Sequence, residues 1–324
     1  MVMKDEVMLA IVIVNYKTPD LVIDCIQSLL PELRGMDARV VIVDNLSKDG
    51  SVQRILSWLQ EQKIGVSQVS LIESPGNLGF SGGNNVGIRS VVADYYLLLN
   101  SDTVVRSGAI KTLLETAERF PDAGIVSPKL VGVTGEVQMS CFRFHRPLGE
   151  LVDAAQTSII DRLLRPFVIR MHVNDELIEP EWTSFACVLV RKQVFDEVGL
   201  LDDRFFMYFE DVEFCYRTRA AGWNIIHNPA IEILHIHGGS SSFEESVRAR
   251  KRLPKYFYES RTRYFFLLFG WGGLLVANVS CLLGLVVARS CKWVQRKTIN
   301  NPEYKGIDIW RDFFRPTKRS SMLP

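Results

Sequence analysis

The sequence predicts an α/β fold, with a mostly parallel central sheet flanked by helices and an apolar helical segment near the C-terminus. Three observations carry this reading. Short β-branched runs alternate with amphipathic helical patterns through the first half, the signature of strands joined by right-handed crossovers. One run, Tyr95 to Leu99, is apolar throughout, as expected of a central strand covered on both faces. Finally, 24 consecutive residues, Phe265 to Ala288, carry no formal charge.

The elements follow in order. Leu9 to Val14 is strand one. The apolar run containing it, Met8 to Val14, is only seven residues long and follows Lys4, Asp5 and Glu6, so it is too short for a membrane span. The spacing then predicts a helix capped at Thr18 with Pro19 in its first position. Leu21, Val22, Cys25, Ile26, Leu29 and Leu30 form its apolar stripe. Val40 to Val43 is strand two, ending at Asp44. A polar turn, Asn45 to Gly50, leads to a helix marked by Val52, Ile55, Leu56 and Leu59, and Val69 to Ile72 is strand three. A glycine- and asparagine-rich loop, Ser74 to Asn85, opens a helix to about Val92. Strand four, Tyr95 to Leu99, ends at Asn100-Ser101-Asp102.

Gly124 to Val126 supplies another short strand, and residues 129–145 read as a hairpin turning at Thr134-Gly135. Between about 146 and 180 the pattern weakens, as in a variable insertion. Ser184 to Val190 reads as a strand, and Phe205 to Phe209 leads into a helix that runs to Ala221 and is stopped by Gly222. Ile225-Ile226 and Ile231 to His235 are short strands.

The 324 residues carry a formal charge of +1, which gives no global electrostatic case for nucleic acid. The six cysteines are scattered without a paired spacing, so they read as reduced thiols rather than a zinc site or disulfide framework.

In open parallel sheets ligands bind beyond the carboxyl ends of the strands. Three such ends here are polar: Asn15, Asp44, and Asn100 with Asp102. The loop Gly76 to Gly87 joins a strand to a helix, where free backbone N–H groups and the helix dipole favour an anion. Its glycines equally permit tight helix packing. It is neither GxGxxG nor a P-loop. Asp102 puts a carboxylate beyond the tip of a central strand. A divalent cation held there neutralises the charge that grows on a departing diphosphate, and magnesium or manganese suits such oxygen ligands. One acid needs further ligands, and His235 and His237, on one face of a strand by alternation, offer imidazoles. Asp211, with Glu210 beside it, either complements a helix dipole or takes the proton from an attacking hydroxyl. Glu213 and Arg217, spaced i, i+4, form a supporting pair.

Taken together, IVIVNY, VIVDNLSKDGS, NLGFSGGNNVG, LLLNSD, VGLLDDRFFMYFEDVEFCYR and HIHGGSS resemble, in order and spacing, the family 2 glycosyltransferases, especially the rhamnosyltransferase-like branch of bacterial polysaccharide assembly. The resemblance runs from Ile11 to about Ser241. It implies a GT-A type, Rossmann-like fold and an inverting transfer of a sugar, rhamnose by branch, from a nucleotide-diphosphate donor to a hydroxyl of a glycan or polyprenyl-linked glycan. By that likeness Asp44 contacts the nucleoside, and Asn77, Gly79 and Asn84 shape the donor site, which Asn15 and Asn100 border. Asp102 binds Mg²⁺ or Mn²⁺, Asp211 is the base, and His235 or His237 completes the metal or diphosphate site. The sequence departs from the family pattern at Asn100, where its acidic motif begins, and at Glu213, where a second aspartate is common.

The resemblance divides the chain into a catalytic domain over residues 1–245 and a C-terminal helical segment over 246–324. Within the catalytic domain the nucleotide-sugar half is about 1–128 and the acceptor half about 129–245. The uncharged stretch is long enough to cross a bilayer, but Gly270-Trp271-Gly272-Gly273 offers a break into two shorter helices lying in the interface. Core helices are the soluble alternative. From Arg289 onward nine basic residues face three acids, a composition suited to anionic headgroups. The expected location is the cytoplasmic face of the inner membrane, peripheral or single-pass, or otherwise the cytoplasm. Two rivals remain: a nucleotidyltransferase, disfavoured by Asn15-Tyr16-Lys17-Thr18 where a glycine-rich basic loop is usual, and a catalytically silent sugar-nucleotide-binding membrane scaffold.

Overall fold

The computed structural model describes residues 6–171, 175–236, 249–295 and 301–318, with the main chain alone over 292–295. The elements begin with β1 (Glu6–Asn15), α1 (Pro19–Leu29), β2 (Ala38–Asp44), α2 (Ser51–Glu61), β3 (Val69–Glu73), α3 (Gly79–Ser90) and β4 (Val92–Asn100). Next come β5 (Thr103–Val105), α4 (Ala109–Arg119), β6 (Ala123–Val131), β7 (Cys141–Phe142), α5 (Gly149–Ala155) and α6 (Ser158–Leu163). The chain continues with β8 (Trp182–Thr183), β9 (Cys187–Arg191), α7 (Lys192–Val198), α8 (Glu210–Ala220), β10 (Asn224–His235), α9 (Lys255–Gln295) and α10 (Lys305–Asp308).

The main sheet has the order β3-β2-β1-β4-β9-β6-β10-β5. The β-branched runs of β1, β2, β3 and β4 pair in parallel. Strand β9 enters antiparallel between β4 and β6, and β5 is antiparallel to β10. Helices α1, α2 and α4 bury their stripes against one face through Ile26, Ile55 and Leu113. The other face is covered by α3, α7, α8 and the front of α9, through Ile88, Val194, Val212 and Phe265.

Several boundaries differ from the sequence expectation. Residues 129–145 do not form a two-stranded hairpin: β6 runs on to Val131, the chain turns at Gly132–Glu136, and a single bridge joins Val131 to Val137. The reason is that Cys141 and Phe142 find their partner in Thr183 and Trp182 instead. The two short strands expected at Ile225 and Ile231 are one strand, β10, whose pairing with β6 shifts between Asn228 and Glu232.

The weakly patterned stretch after residue 146 supplies α5 and α6. Helix α5 lies directly on α9, because Gly284 leaves room where a Cβ would come within 2.5 Å of the Leu151 carbonyl oxygen. Helix α9 is interrupted at Gly270, whose φ of 65° and ψ of −169° are outside helical values. Between α5 and α9 the Arg261 guanidinium donates to Glu150 at 2.9 and 3.1 Å and to Asn278 Oδ1 at 2.8 Å, all three side chains being buried. The cysteines form no disulfide, and five of the six are buried.

Candidate active site

The parallel register aligns the polar strand ends. Asn15 pairs with Asp44, and Val14 pairs with Asn100, so the three polar residues stand in a row along the carboxyl edge of the sheet. Asp44 is buried, and its carboxylate accepts hydrogen bonds from Asn15 Nδ2 (2.6 Å), Ser47 Oγ (2.6 Å) and the Ser47 N–H (2.9 Å). A carboxylate has about four acceptor positions, so the chain's own donors take most of them. Ser47 Oγ accepts from the Lys17 N–H at 2.9 Å, and Asn15 Oδ1 from the Thr18 N–H at 3.2 Å. These bonds knit the two loops that follow β1 and β2.

The loop before α3 is braced from two sides. Asn77 Oδ1 accepts from the Gly79 N–H at 3.1 Å, and Asn45 Nδ2 donates to the Gly79 carbonyl at 2.8 Å. Gly79 has φ +69°, and a Cβ there would lie 2.0 Å from the Phe206 carbonyl oxygen. That same oxygen accepts the Phe80 N–H at 2.8 Å. Deeper in α3, Asn84 Nδ2 donates to the Phe80 carbonyl, and Asn85 bonds both the N–H and the carbonyl of Leu201. The glycine-rich loop is therefore locked to the segment that delivers Glu210 and Asp211, at the edge where the parallel strands end.

Beyond β4, Asp102 and His235 meet. His235 pairs with Thr103 across β5 and β10, and the Ile236 N–H donates to the Asp102 carbonyl at 2.8 Å. His235 Nε2 lies 3.3 Å from Asp102 Oδ1, both side chains being buried, and Oδ1 has no hydrogen-bond partner. Gln138 sets the ring. Its Nε2 donates to the His235 carbonyl at 2.8 Å, and its Oε1 lies 2.9 Å from His235 Nδ1. With the amide nitrogen committed to the carbonyl, Oε1 is the acceptor for Nδ1, which fixes the ring with Nε2 facing Asp102. His237 and the glycines after it lie outside the described residues.

The acids at the start of α8 follow two consecutive aromatic residues in the left-handed region, Tyr208 (φ 70°) and Phe209 (φ 66°). Each such residue costs roughly 1–2 kcal/mol, so the surrounding packing must impose the conformation. That packing is visible around Phe209, whose ring meets His145, Phe257 and Tyr264 at centroid distances of 5.1, 5.7 and 5.4 Å.

The model of the family described as Glycosyl transferase family 2 matches residues 10–173, half of the chain. The chain belongs to glycosyl transferase family 2. It is 29% identical over 231 residues to the low-salt glycan biosynthesis hexosyltransferase Agl10 of Haloferax volcanii, covering 70% of this chain and 66% of that protein. It is 30% identical over 216 residues to the N-acetylglucosaminyl-diphospho-decaprenol L-rhamnosyltransferase of Mycobacterium tuberculosis, covering 60% and 66%. The matched stretches thus span just under two thirds of each relative. The fold is of the GT-A type: the crystal structure of GalNAc-T7 with UDP, GalNAc and Mn²⁺ superposes over 95% of this chain and 57% of its own, at TM-score 0.62 and 13% identity.

In this family 2 chain the electrostatics at α8 are uneven. Burial pushes the Asp211 carboxyl up to about 7, against a Val212 N–H that donates to its Oδ1 at 2.8 Å. Glu210 is driven well above the usual carboxylate range, first by burial and then by the neighbouring Asp211 charge. Both acids at the start of α8 are therefore held above the ordinary carboxylate range. Glu213 and Arg217 pair at 2.6 Å, and the Arg217 guanidinium also donates to the carbonyls of Val198 and Leu200, tying α8 to the loop before it.

Sequence reasoning missed Gln138, Asn45 and Phe206. Gln138 carries no motif signal and is 97 residues from His235, whereas Asn45 and Phe206 lie within quoted motifs but act through contacts, a Gly79 carbonyl and a backbone carbonyl, that only the fold shows. Ser47 lay within a recognised motif, but its bonds to Asp44 needed coordinates.

Proposed function

We propose that this chain is an inverting glycosyltransferase that uses a divalent cation and moves a sugar, rhamnose by likeness to its relative, from a nucleotide diphosphate to an acceptor hydroxyl. The observation that carries the reading is the Asp102–His235–Gln138 arrangement. A buried carboxylate oxygen without a hydrogen bond faces an imidazole nitrogen across a gap that one cation can bridge. Two ligands each about 2.1 Å from one ion at right-angled to tetrahedral spacing are about 3.0–3.4 Å apart, and the observed separation is 3.3 Å. Among the described residues no cluster of three such ligands occurs, so His237 or diphosphate oxygens complete the set.

Asp102 and His235 would hold Mg²⁺ or Mn²⁺, which when bound offsets the negative charge of the leaving diphosphate. The rest of the chemistry belongs to this chain's residues. Asn15, Asp44 and Asn100 line the nucleotide end of the edge in this reading, and Asn77 and Gly79 of the loop with Asn84 of α3 shape the donor site beside them. Ionised Asp211 takes the proton from the acceptor hydroxyl. The oxygen bonds to the anomeric carbon as that carbon's bond to the diphosphate breaks, and one base with no second nucleophilic acid gives inversion. Residues 1–245 form the catalytic unit in this reading.

The Mycobacterium relative is named for an acceptor on a polyprenyl diphosphate. We extend to this chain a glycan or polyprenyl-linked glycan acceptor at the cytoplasmic face of a membrane. One helix, Lys255–Cys291, is long and apolar enough to cross one, with 44% of its most apolar window buried. The test is a thermal-shift panel of nucleotide sugars with and without Mn²⁺, since ligands of the folded state raise its stability, followed by acceptor trials read by nucleoside diphosphate release. No shift with any nucleotide sugar would refute the reading.

A further inference from the structure

Helix α9 divides lengthwise beyond Gly270. Leu274, Ala277, Cys281, Leu285 and Ala288 are buried against the body of the protein, while Leu275, Val276, Val279, Leu283 and Val286 on the opposite side are 44–58% exposed. The helix is apolar on both sides, and an uncovered apolar stripe of this length calls for a partner. Beside it the C-terminal segment adds exposed Ile307 and Phe314, and Phe313 packs its ring on exposed Trp271 at a centroid distance of 5.4 Å.

At the end of the stripe a cavity of about 510 Å³ opens between α9 and α10, lined by Arg250, Arg289 and Lys305, with one carboxylate, Glu303, and by Tyr304 and Leu285. Lys305 is bonded to Asp153 at 2.7 Å. Arg250 and Arg289 are exposed and enter none of the ion pairs among the described residues.

We propose that this face is a monotopic membrane-docking surface. Leu275, Val279, Leu283 and Val286 enter the acyl boundary of an anionic bilayer, and the Arg250–Arg289 cavity receives a phospholipid headgroup phosphate. The helix lies in the plane of the membrane and does not cross it. Its inner side is bonded to the protein through Arg261, Glu150 and Asn278, and a span would carry those charged groups into hydrocarbon. Exposed Trp271 and Trp310 suit the headgroup level. The inference rests on the transferase reading only for its purpose, which is to hold the acceptor edge near a lipid-linked substrate.

The experiment is vesicle flotation of the full chain, which requires no turnover and so fails or succeeds independently of that reading. Wild-type protein is expected to float with phosphatidylcholine vesicles containing phosphatidylglycerol, far less with phosphatidylcholine alone, and to be released by salt. With about 1 kcal/mol per basic residue at an anionic surface, R250Q/R289Q lowers the partition by roughly thirty-fold. V279E/L283E abolishes binding, while circular dichroism and donor turnover on a soluble acceptor stay at wild-type level. Equal flotation of all variants, or no flotation of wild type, overturns the proposal. Conversion of a wild-type dimer to monomer by V279E/L283E without vesicle binding would assign the face to a second copy instead.

Discussion

Replacing Gly79 by alanine tests the mechanical link between the glycine-rich loop and Asp211, the proposed general base. The new Cβ would sit 2.0 Å from the Phe206 carbonyl oxygen and 2.7 Å from its carbon, and backbone atoms cannot rotate aside. Alanine at φ +69° adds the left-handed penalty. Relief requires the segment before Glu210 to retreat, breaking the 2.8 Å Phe80–Phe206 bond. Left-handed strain, one lost hydrogen bond and overpacking together amount to about 3–5 kcal/mol. Urea unfolding followed by circular dichroism should show a loss of that order. In the fraction that stays folded, kcat should fall by more than the reciprocal rise in KM for the nucleotide sugar, because Asp211 is displaced along with Phe206. Wild-type stability and turnover in Gly79→Ala would refute the claimed rigidity of this contact.

Asp211→Asn should lower turnover by about 10²-fold or more while sparing donor binding, measured by kcat against calorimetric affinity. Because the Asp211 carboxyl sits near 7, the kcat of wild type should rise with pH through that value. The same shift has the opposite sign for stability. The folded state holds a proton the unfolded chain has released, so this contribution is present at low pH, falls as pH rises from about 4, and is gone above about 7. A denaturation series across that range reads it. Asp102→Ala should abolish the dependence of donor affinity on Mn²⁺. Gln138→Leu, which frees the His235 ring, should weaken Mn²⁺ affinity by about 10–100-fold. Unchanged Mn²⁺ titrations in both would remove the metal assignment.

The sheet was readable from sequence because period and composition report burial directly: β1, β2 and β4 came within a few residues, and their polar tips fall into one row. The pairing of Cys141–Phe142 with Trp182–Thr183 was not readable, since two-residue strands leave no alternation to detect. Asp102 and His235 were each visible as chemistry-bearing residues after strands. Their 3.3 Å approach depends on β10 lying beside the antiparallel β5, a topology no local pattern encodes. Asn77 and Asn84 were assigned to the donor site by likeness, yet their side chains bond within their own loop and helix. The left-handed Tyr208 and Phe209 run against their residue types, so only tertiary packing reveals them.

The Arg261–Glu150 bridge makes the C-terminal helix something other than a detachable tether. Cutting the chain before Lys255 would leave the Glu150 carboxylate without its cation and strip the cover from Phe209 and Val212. Losing one partner of such a buried pair costs about 3–5 kcal/mol before any exposed apolar area is counted. Altering the outer stripe therefore leaves this brace intact, whereas shortening the protein removes it.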